Sequence, residues 1–204
     1  MKERKEHWEQ IYADKAPSEV SWYQRAPRVS LELIDKMKLS REARIIDIGG
    51  GASNLIDELL RAGYPGLAVL DISHHALSHA KQRLGASASS IEWFEEDVTR
   101  FNSPHDFDVW HDRAVFHFLT DPADRALYRE TLERTLKPDG RVVIATFAVG
   151  GPSRCSGLEI VQYDRSGLSS ELGSSFELIE MVPERHVTPT GAEQAFNFFH
   201  FRMK

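Results

Sequence analysis

In the stretch Ile45-Ile46-Asp47-Ile48-Gly49-Gly50-Gly51-Ala52-Ser53-Asn54 a carboxylate interrupts an apolar run and three glycines follow it. Glycines after a strand let backbone approach a ligand, and Asp47 ahead of them would repel a pyrophosphate and attract a cation. A dinucleotide fingerprint, GxGxxG, needs a glycine where Asn54 stands, and a GxxxxGK[ST] phosphate loop needs Gly-Lys-Ser/Thr where Asn54-Leu55-Ile56 stand. Asp71 closes a second apolar run about twenty residues on, where a carboxylate accepts hydrogen bonds from both hydroxyls of a ribose. A third run leads into Glu95-Glu96-Asp97-Val98, whose acids suit an adenine amino group. His111-Asp112-Arg113 follows a fourth run, and His117 lies close behind. A histidine there suits proton removal, its ordinary pKa being ~6.5, or it only packs and hydrogen-bonds. Arg113 holds an acidic ligand or pairs with Asp112. Cys155 is a thiol nucleophile or an inert buried side chain. Trp8, Tyr12, Trp22 and Tyr23 suit an aromatic lid over a cation; with Trp8 and Tyr12 four apart, they also suit plain core packing.

These residues need elements to place them. Apolar runs at 44–48, 67–70, 91–94, 107–110 and 141–147 are predicted strands, several of them apolar on both faces as in a buried parallel sheet. Helices are predicted between them at 53–62, 73–84 and 121–136. Ser53, Ser73 and Asp121 are their caps, Pro122 takes a first helical position, and Gly63, Gly85 and Lys137-Pro138-Asp139-Gly140 are stops. Strands alternating with helices build βα units around a parallel sheet. At the end, 176–182 and 195–203 are successive strands with no helix of useful length between them, so the sheet becomes antiparallel at one edge. Residues 1–30 form a helical and aromatic segment ahead of the domain at 31–204, the two making one structural domain overall.

A ribose, an adenine, a cationic amino-acid portion and no phosphate together describe S-adenosylmethionine. The chain resembles the class I S-adenosylmethionine-dependent methyltransferases over 44–147, on the motifs IIDIGGG (45–51), VLDIS (69–73), EEDV (95–98), FDVWHDRAVFHFLTDP (107–122) and LKPDGRVVIATF (136–147). The resemblance implies a Rossmann-like α/β fold. Its seven-stranded, mostly parallel sheet has the order 3-2-1-4-5-7-6, with the last strand antiparallel and helices on both faces. It also implies that Gly49, Gly50 and Gly51 approach the methionine part, that Asp71 with Ile72 meets the ribose, and that Asp97 with Val98 meets the adenine. Asp47 would organise the loop and meet the amino group, and His111 would touch the cofactor. The second loop glycine is more often cysteine or threonine in the family, and Gly50 still satisfies the pattern.

Methyl transfer is an in-line displacement at a carbon activated by the sulfonium, so the protein must align acceptor, methyl and sulfur and exclude water. The expected activity is methylation of N, O or S on a small-molecule acceptor, leaving S-adenosylhomocysteine. His111 or His117 is the candidate base, and Trp8, Tyr12, Trp22, Tyr23, Arg113 and Cys155 lie around the acceptor. A second reading is a protein-lysine methyltransferase. HWEQIY and SEVSWY resemble an N-terminal element of that branch, but its Asp-Lys-Gly is Asp112-Arg113-Ala114 here. A third is a non-catalytic S-adenosylmethionine-binding regulatory module. NAD-linked oxidoreduction is disfavoured by Asp47 and Asn54. No [DNS]PP[YFW] motif for DNA amino methylation follows the fourth strand, and a net charge of -6 with a pI of about 5.8 opposes nucleic-acid binding. No signal peptide or membrane span is read in the 204 residues, so a cytoplasmic location is expected. The single cysteine permits no internal disulfide, and no Cys/His spacing suits a metal.

Overall fold

Five parallel strands form the centre of the computed structural model, which describes residues 2–204: β1 (Arg44–Ile48), β2 (Gly66–Asp71), β3 (Glu92–Glu95), β4 (Phe107–Arg113) and β5 (Leu136–Phe147). A short separate hairpin follows, β6 (Arg154–Cys155) with β7 (Leu158–Glu159). The long strands β8 (Phe176–Val187) and β9 (Glu193–Met203) then complete the sheet, β9 running antiparallel to both β5 and β8. The order β3-β2-β1-β4-β5-β9-β8 is the expected 3-2-1-4-5-7-6 once the separate hairpin is left out of the count.

Side chains alternate between the faces of a strand, so each face of this sheet carries its own apolar set. Ile46, Ile48, Leu70 and Trp110 pack against Tyr128 and Leu132 of α5 (Pro122–Thr135) and Leu168 and Leu172 of α6 (Arg165–Leu172). Ile45, Leu67, Val69 and Val109 face Ile34 of α2 (Arg28–Lys36), Leu55, Ile56 and Leu59 of α3 (Leu55–Arg61) and Leu77 of α4 (His74–Leu84). Burying each such side chain is worth about 1.5–3 kcal/mol, which fixes the strand order around the loops between them. The buried Trp110 is also satisfied: its Nε1 donates to the Tyr128 hydroxyl at 2.8 Å, which donates to Asp112 Oδ2 at 2.7 Å.

The predicted caps are in place at two helices, where Ser73 accepts from the Ala76 N–H and Asp121 from the Ala123 N–H. The helix predicted from residue 53 starts later, because the glycines close a 3-10 turn over Gly50–Ala52 first; Ser53 Oγ still accepts from Leu55 N at 3.0 Å. The expected leading segment holds α1 (Lys2–Asp14) and a 3-10 turn at Pro17–Glu19, and residue 30 falls inside α2. Among the described residues no helix is long and apolar enough to cross a membrane.

Candidate functional site

The carboxyl ends of β1, β2 and β3 converge beneath α1, and the glycine loop lies between them. Gly49 sits at φ +66° with its N–H on Leu70 O at 2.7 Å, and a Cβ there would fall 2.2 Å from Val115 Cγ2. A Cβ on Gly50 would fall 2.5 Å from Asp47 Oδ2, and one on Gly51 would fall 2.8 Å from Asp71 Oδ2. Glycine is required at 49 by conformation and space together, at 50 by the Asp47 carboxylate, and at 51 by Ala76 and the Asp71 carboxylate, which fill the room of a side chain.

Asp47 is 2% exposed. Its Oδ1 lies 2.7 Å from His111 Nδ1, and His111 Nε2 lies 2.8 Å from Ser30 Oγ. An ionised carboxylate only accepts, so Nδ1 donates to Asp47 and a neutral ring accepts the Ser30 hydroxyl proton at Nε2. His111, expected as a candidate base, therefore has both ring nitrogens engaged and none free for an acceptor's proton. Asp47 Oδ2 is buried without a hydrogen-bond partner. Asp71 accepts from Gly51 N at 3.0 Å and Ser73 N at 2.9 Å, and burial pushes its pKa up to about 6 against the pull of those two bonds. Asp97 Oδ1 accepts from Thr99 N and Oγ1, at 3.0 and 2.8 Å, and its Oδ2 accepts from Arg4 Nη1 at 3.1 Å.

Helix α1 is pinned across these strand ends. Glu9 accepts from Ser73 Oγ and from the His74 and His75 N–H groups at the start of α4. Burial raises its pKa, but these bonds outweigh that and hold it down to about 2. Lys5 bonds Glu95 at 2.5 Å, and Arg4 reaches Asp124 as well as Asp97. Trp8 meets Trp22 and Phe118 edge-on, with ring centroids 5.7 and 5.0 Å apart, and Tyr12 lies 6.3 Å from each tryptophan. Glu9 and Arg4 were not singled out in the sequence; no local pattern marks a helix residue whose partners lie in a distant strand.

Two cavities flank Gly49. The larger, about 760 Å³ and partly open to solvent, is lined among others by Trp8, Ile72, Asp71, Asp97, Val98, Phe118 and Cys155. The smaller, about 490 Å³, is lined among others by Tyr23, Ser30, Asp47, Asn54 and His111. Tyr12, Trp22, Ile48, Gly49 and Arg113 line both. Ala114, on the wall of the larger cavity, stands at φ +71°, a strained conformation for a residue with a Cβ and one the sequence did not flag.

His117 lines neither cavity. It is fully buried, its ring lies 4.5 and 4.9 Å from those of Phe118 and Phe147, and its Nδ1 accepts from Phe147 N at 3.3 Å. Burial, then the Arg113 charge, push its pKa down to about 3, so the expected base is held as a neutral side chain in the core, away from both cavities. Arg113 does not pair with Asp112, which is engaged by the Tyr128 hydroxyl and the Val115 and Phe116 N–H groups. Its Nη1 donates to Trp22 O at 2.8 Å and its guanidinium lies 4.7 Å above the Phe196 ring. Burial pulls its pKa down to about 10, which leaves it charged at neutral pH. Burial raises the Cys155 pKa to about 11, which favours the thiol over the nucleophilic thiolate.

A glycine cradle, an unsatisfied buried carboxylate oxygen and acids at successive strand ends fit a ligand with an ammonium, a ribose and an adenine. The family described as a methyltransferase domain matches residues 45–140. The eEF1A lysine and N-terminal methyltransferase of Mus musculus is 24% identical over 156 residues, covering 75% of this chain; the chain spans only about a fifth (21%) of that relative's length. An S-adenosylmethionine-dependent methyltransferase from Anabaena variabilis superposes with a TM-score of 0.76 at 15% identity, over 98% of this chain and 95% of that one. The N-methyltransferase NodS of Bradyrhizobium japonicum, solved with S-adenosylhomocysteine, gives 0.67 at 18% identity, over 96% and 97%.

Proposed function

We propose that the chain is a class I S-adenosylmethionine-dependent methyltransferase, as its methyltransferase-domain match and its fold support, and that it transfers a methyl group to a small-molecule acceptor held in the larger cavity. The observation behind the donor site is Asp47 Oδ2, a buried carboxylate oxygen with no partner, beside the glycine loop. It would receive the ammonium of the amino-acid end, with Gly49, Gly50 and Gly51 bringing backbone close. Asp71, with Ile72, would take the ribose hydroxyls. Asp97, with Val98, would take the adenine, and Arg4 would give up its hold on Asp97 Oδ2 as that happened.

Bound S-adenosylmethionine supplies a methyl carbon already activated by its sulfonium. What remains for this chain is alignment and exclusion of water. Trp8, Tyr12 and Trp22 present aromatic faces and edges to the seam where the two cavities meet, and we take α1 with the segment to residue 30 as the lid over it. With His111 engaged at both nitrogens and His117 in the core, neither histidine takes a proton from the acceptor. A roofed cavity supports a small acceptor over a protein chain.

The likeness to the mouse eEF1A lysine and N-terminal methyltransferase favours a second reading, a protein acceptor. Calorimetry with S-adenosylhomocysteine tests the donor site, and absence of binding would refute it. Incubation with methyl-labelled S-adenosylmethionine and a cell extract tests the acceptor: label in the dialysable fraction supports a small molecule, and label confined to protein overturns it.

A further inference from the structure

We propose that the acceptor is an apolar, flat-bodied molecule bearing a carboxylate, and that Arg113 is the residue that binds this group; the inference rests on the methyltransferase reading above. If the donor spans Asp47, Asp71 and Asp97, the part of the larger cavity left over is walled by Trp8, Trp22, Phe118, Leu119, Cys155 and Arg113. Four of those six are aromatic or aliphatic, and one is a cation.

Arg113 stands on the wall that the two cavities share. Arg113 pairs with Ala145 across β4 and β5, and its head reaches on past β5 to lie over Phe196 of β9. Its side chain is 10% exposed, and its Nε and Nη2 have no hydrogen-bond acceptor. The nearest carboxylate oxygen, on Glu184 of β8, stands 3.8 Å from Nη2, beyond hydrogen-bond reach, while Glu184 accepts from Gln24 Nε2 at 3.0 and 3.3 Å. The other titratable groups that feel this charge are His117, His186, Cys155 and Asp47. None of them supplies an acceptor to Nε or Nη2. A buried cation with two unused N–H donors is strongly disposed to a carboxylate, which can take both in parallel.

A carboxylate could come from the acceptor or from the donor's own amino-acid end, and calorimetry separates them. The probes are phenylacetate, 3-phenylpropionate and indole-3-acetate, each against its amide, titrated into protein saturated with S-adenosylhomocysteine. The expected result is that at least one acid binds about tenfold or more tighter than its amide, as a charge-assisted bidentate pair requires. Arg113→Gln should abolish that preference while still binding S-adenosylhomocysteine within about threefold of the parent, and Arg113→Lys should keep part of it. No acid preference in the parent, or a preference that survives in Arg113→Gln, overturns the inference. So does an Arg113→Gln loss of S-adenosylhomocysteine affinity that is absent with its decarboxylated analogue, since the carboxylate would then be the donor's. If the parent binds no S-adenosylhomocysteine, the methyltransferase reading itself fails, an outcome distinct from lost acid preference.

Discussion

Replacing Asp71 by asparagine removes one accepting oxygen from a side chain. An ionised carboxylate offers about four lone-pair sites. Gly51 N at 3.0 Å and Ser73 N at 2.9 Å take one on each oxygen, leaving one on each for the two ribose hydroxyls. Asparagine has a single accepting oxygen, so it keeps one backbone N–H and sets its own amide N–H against the other. The amide oxygen keeps a lone pair for one hydroxyl, so one hydrogen bond to a charged group is lost, about 1.5–3 kcal/mol, roughly ten- to a hundredfold in Kd. The donor set against donor costs a further ~1–3 kcal/mol, but of fold stability. Calorimetry with S-adenosylhomocysteine at a pH well above 6 reads the first loss, and thermal unfolding without ligand reads the second. A 2′,3′-dideoxy analogue closes the cycle: it should bind parent and variant with nearly equal affinity, because the hydroxyls that distinguish them are gone. Binding of S-adenosylhomocysteine by a folded Asp71→Asn protein within about fivefold of the parent would refute the ribose assignment.

The raised Asp71 pKa, about 6, makes donor binding pH-dependent: protonation removes an acceptor, so S-adenosylhomocysteine affinity should fall as pH drops through about 6, by up to about tenfold per unit below it. A flat calorimetric profile from pH 5 to 8 would count against an ionised Asp71 at the ribose. Stability runs the other way for this group, since a carboxyl whose pKa is raised by folding favours the fold at acid pH and loses that contribution as pH rises from about 4 through about 6. Gly49→Ala forces a side chain into φ +66° and against Val115 Cγ2, and should lower stability by about 1–3 kcal/mol and weaken S-adenosylhomocysteine binding, read by thermal melts and calorimetry. His117→Leu strands the Phe147 N–H and should lower stability by about 1–3 kcal/mol, with S-adenosylhomocysteine affinity and the rate of methyl transfer within about twofold of the parent; a large loss of transfer rate would restore His117 as a base.

The parallel part of the sheet was legible because its apolar runs are short, several of them apolar on both faces, and are separated by helices with readable caps, a pattern with few packings. Ser73 and Asp121 could be read as caps from their residue types alone. Other parts were not legible. Helix α6 shows only Leu168 and Leu172 to the core among serines and a glycine, too weak a periodicity to stand out. The ends of β8 and β9 run five and two residues past the predicted strand limits, at 187 and 193, because pairing with each other extends them where composition does not. At the site, strand order put Asp47, Asp71 and Asp97 at one edge. What holds each of them depends on chain segments far off in sequence: His111 is 64 residues from Asp47, and Arg4 is 93 from Asp97. The histidines show the limit most plainly. His111 and His117 have the same chemistry on paper, and only burial and partners make one a brace for Asp47 and the other part of an aromatic core.

Those partners also show how the fold divides its polar groups. Asp97, Asp112 and Glu9 are buried or half-buried acids with several donors each, as stability demands. On the cavity walls, Asp47 Oδ2 and Arg113 Nε and Nη2 are buried without a hydrogen-bond partner, and Gly49 and Ala114 hold left-handed backbone beside them. Leaving a buried polar atom unsatisfied costs about 1–3 kcal/mol, and strained backbone about as much again. On the proposed reading, a ligand with an ammonium near Asp47 and a carboxylate near Arg113 would recover that free energy at these wall positions. Donor and acceptor each relieve a different part of that deficit, so the protein should be stabilised in two separable increments as they bind.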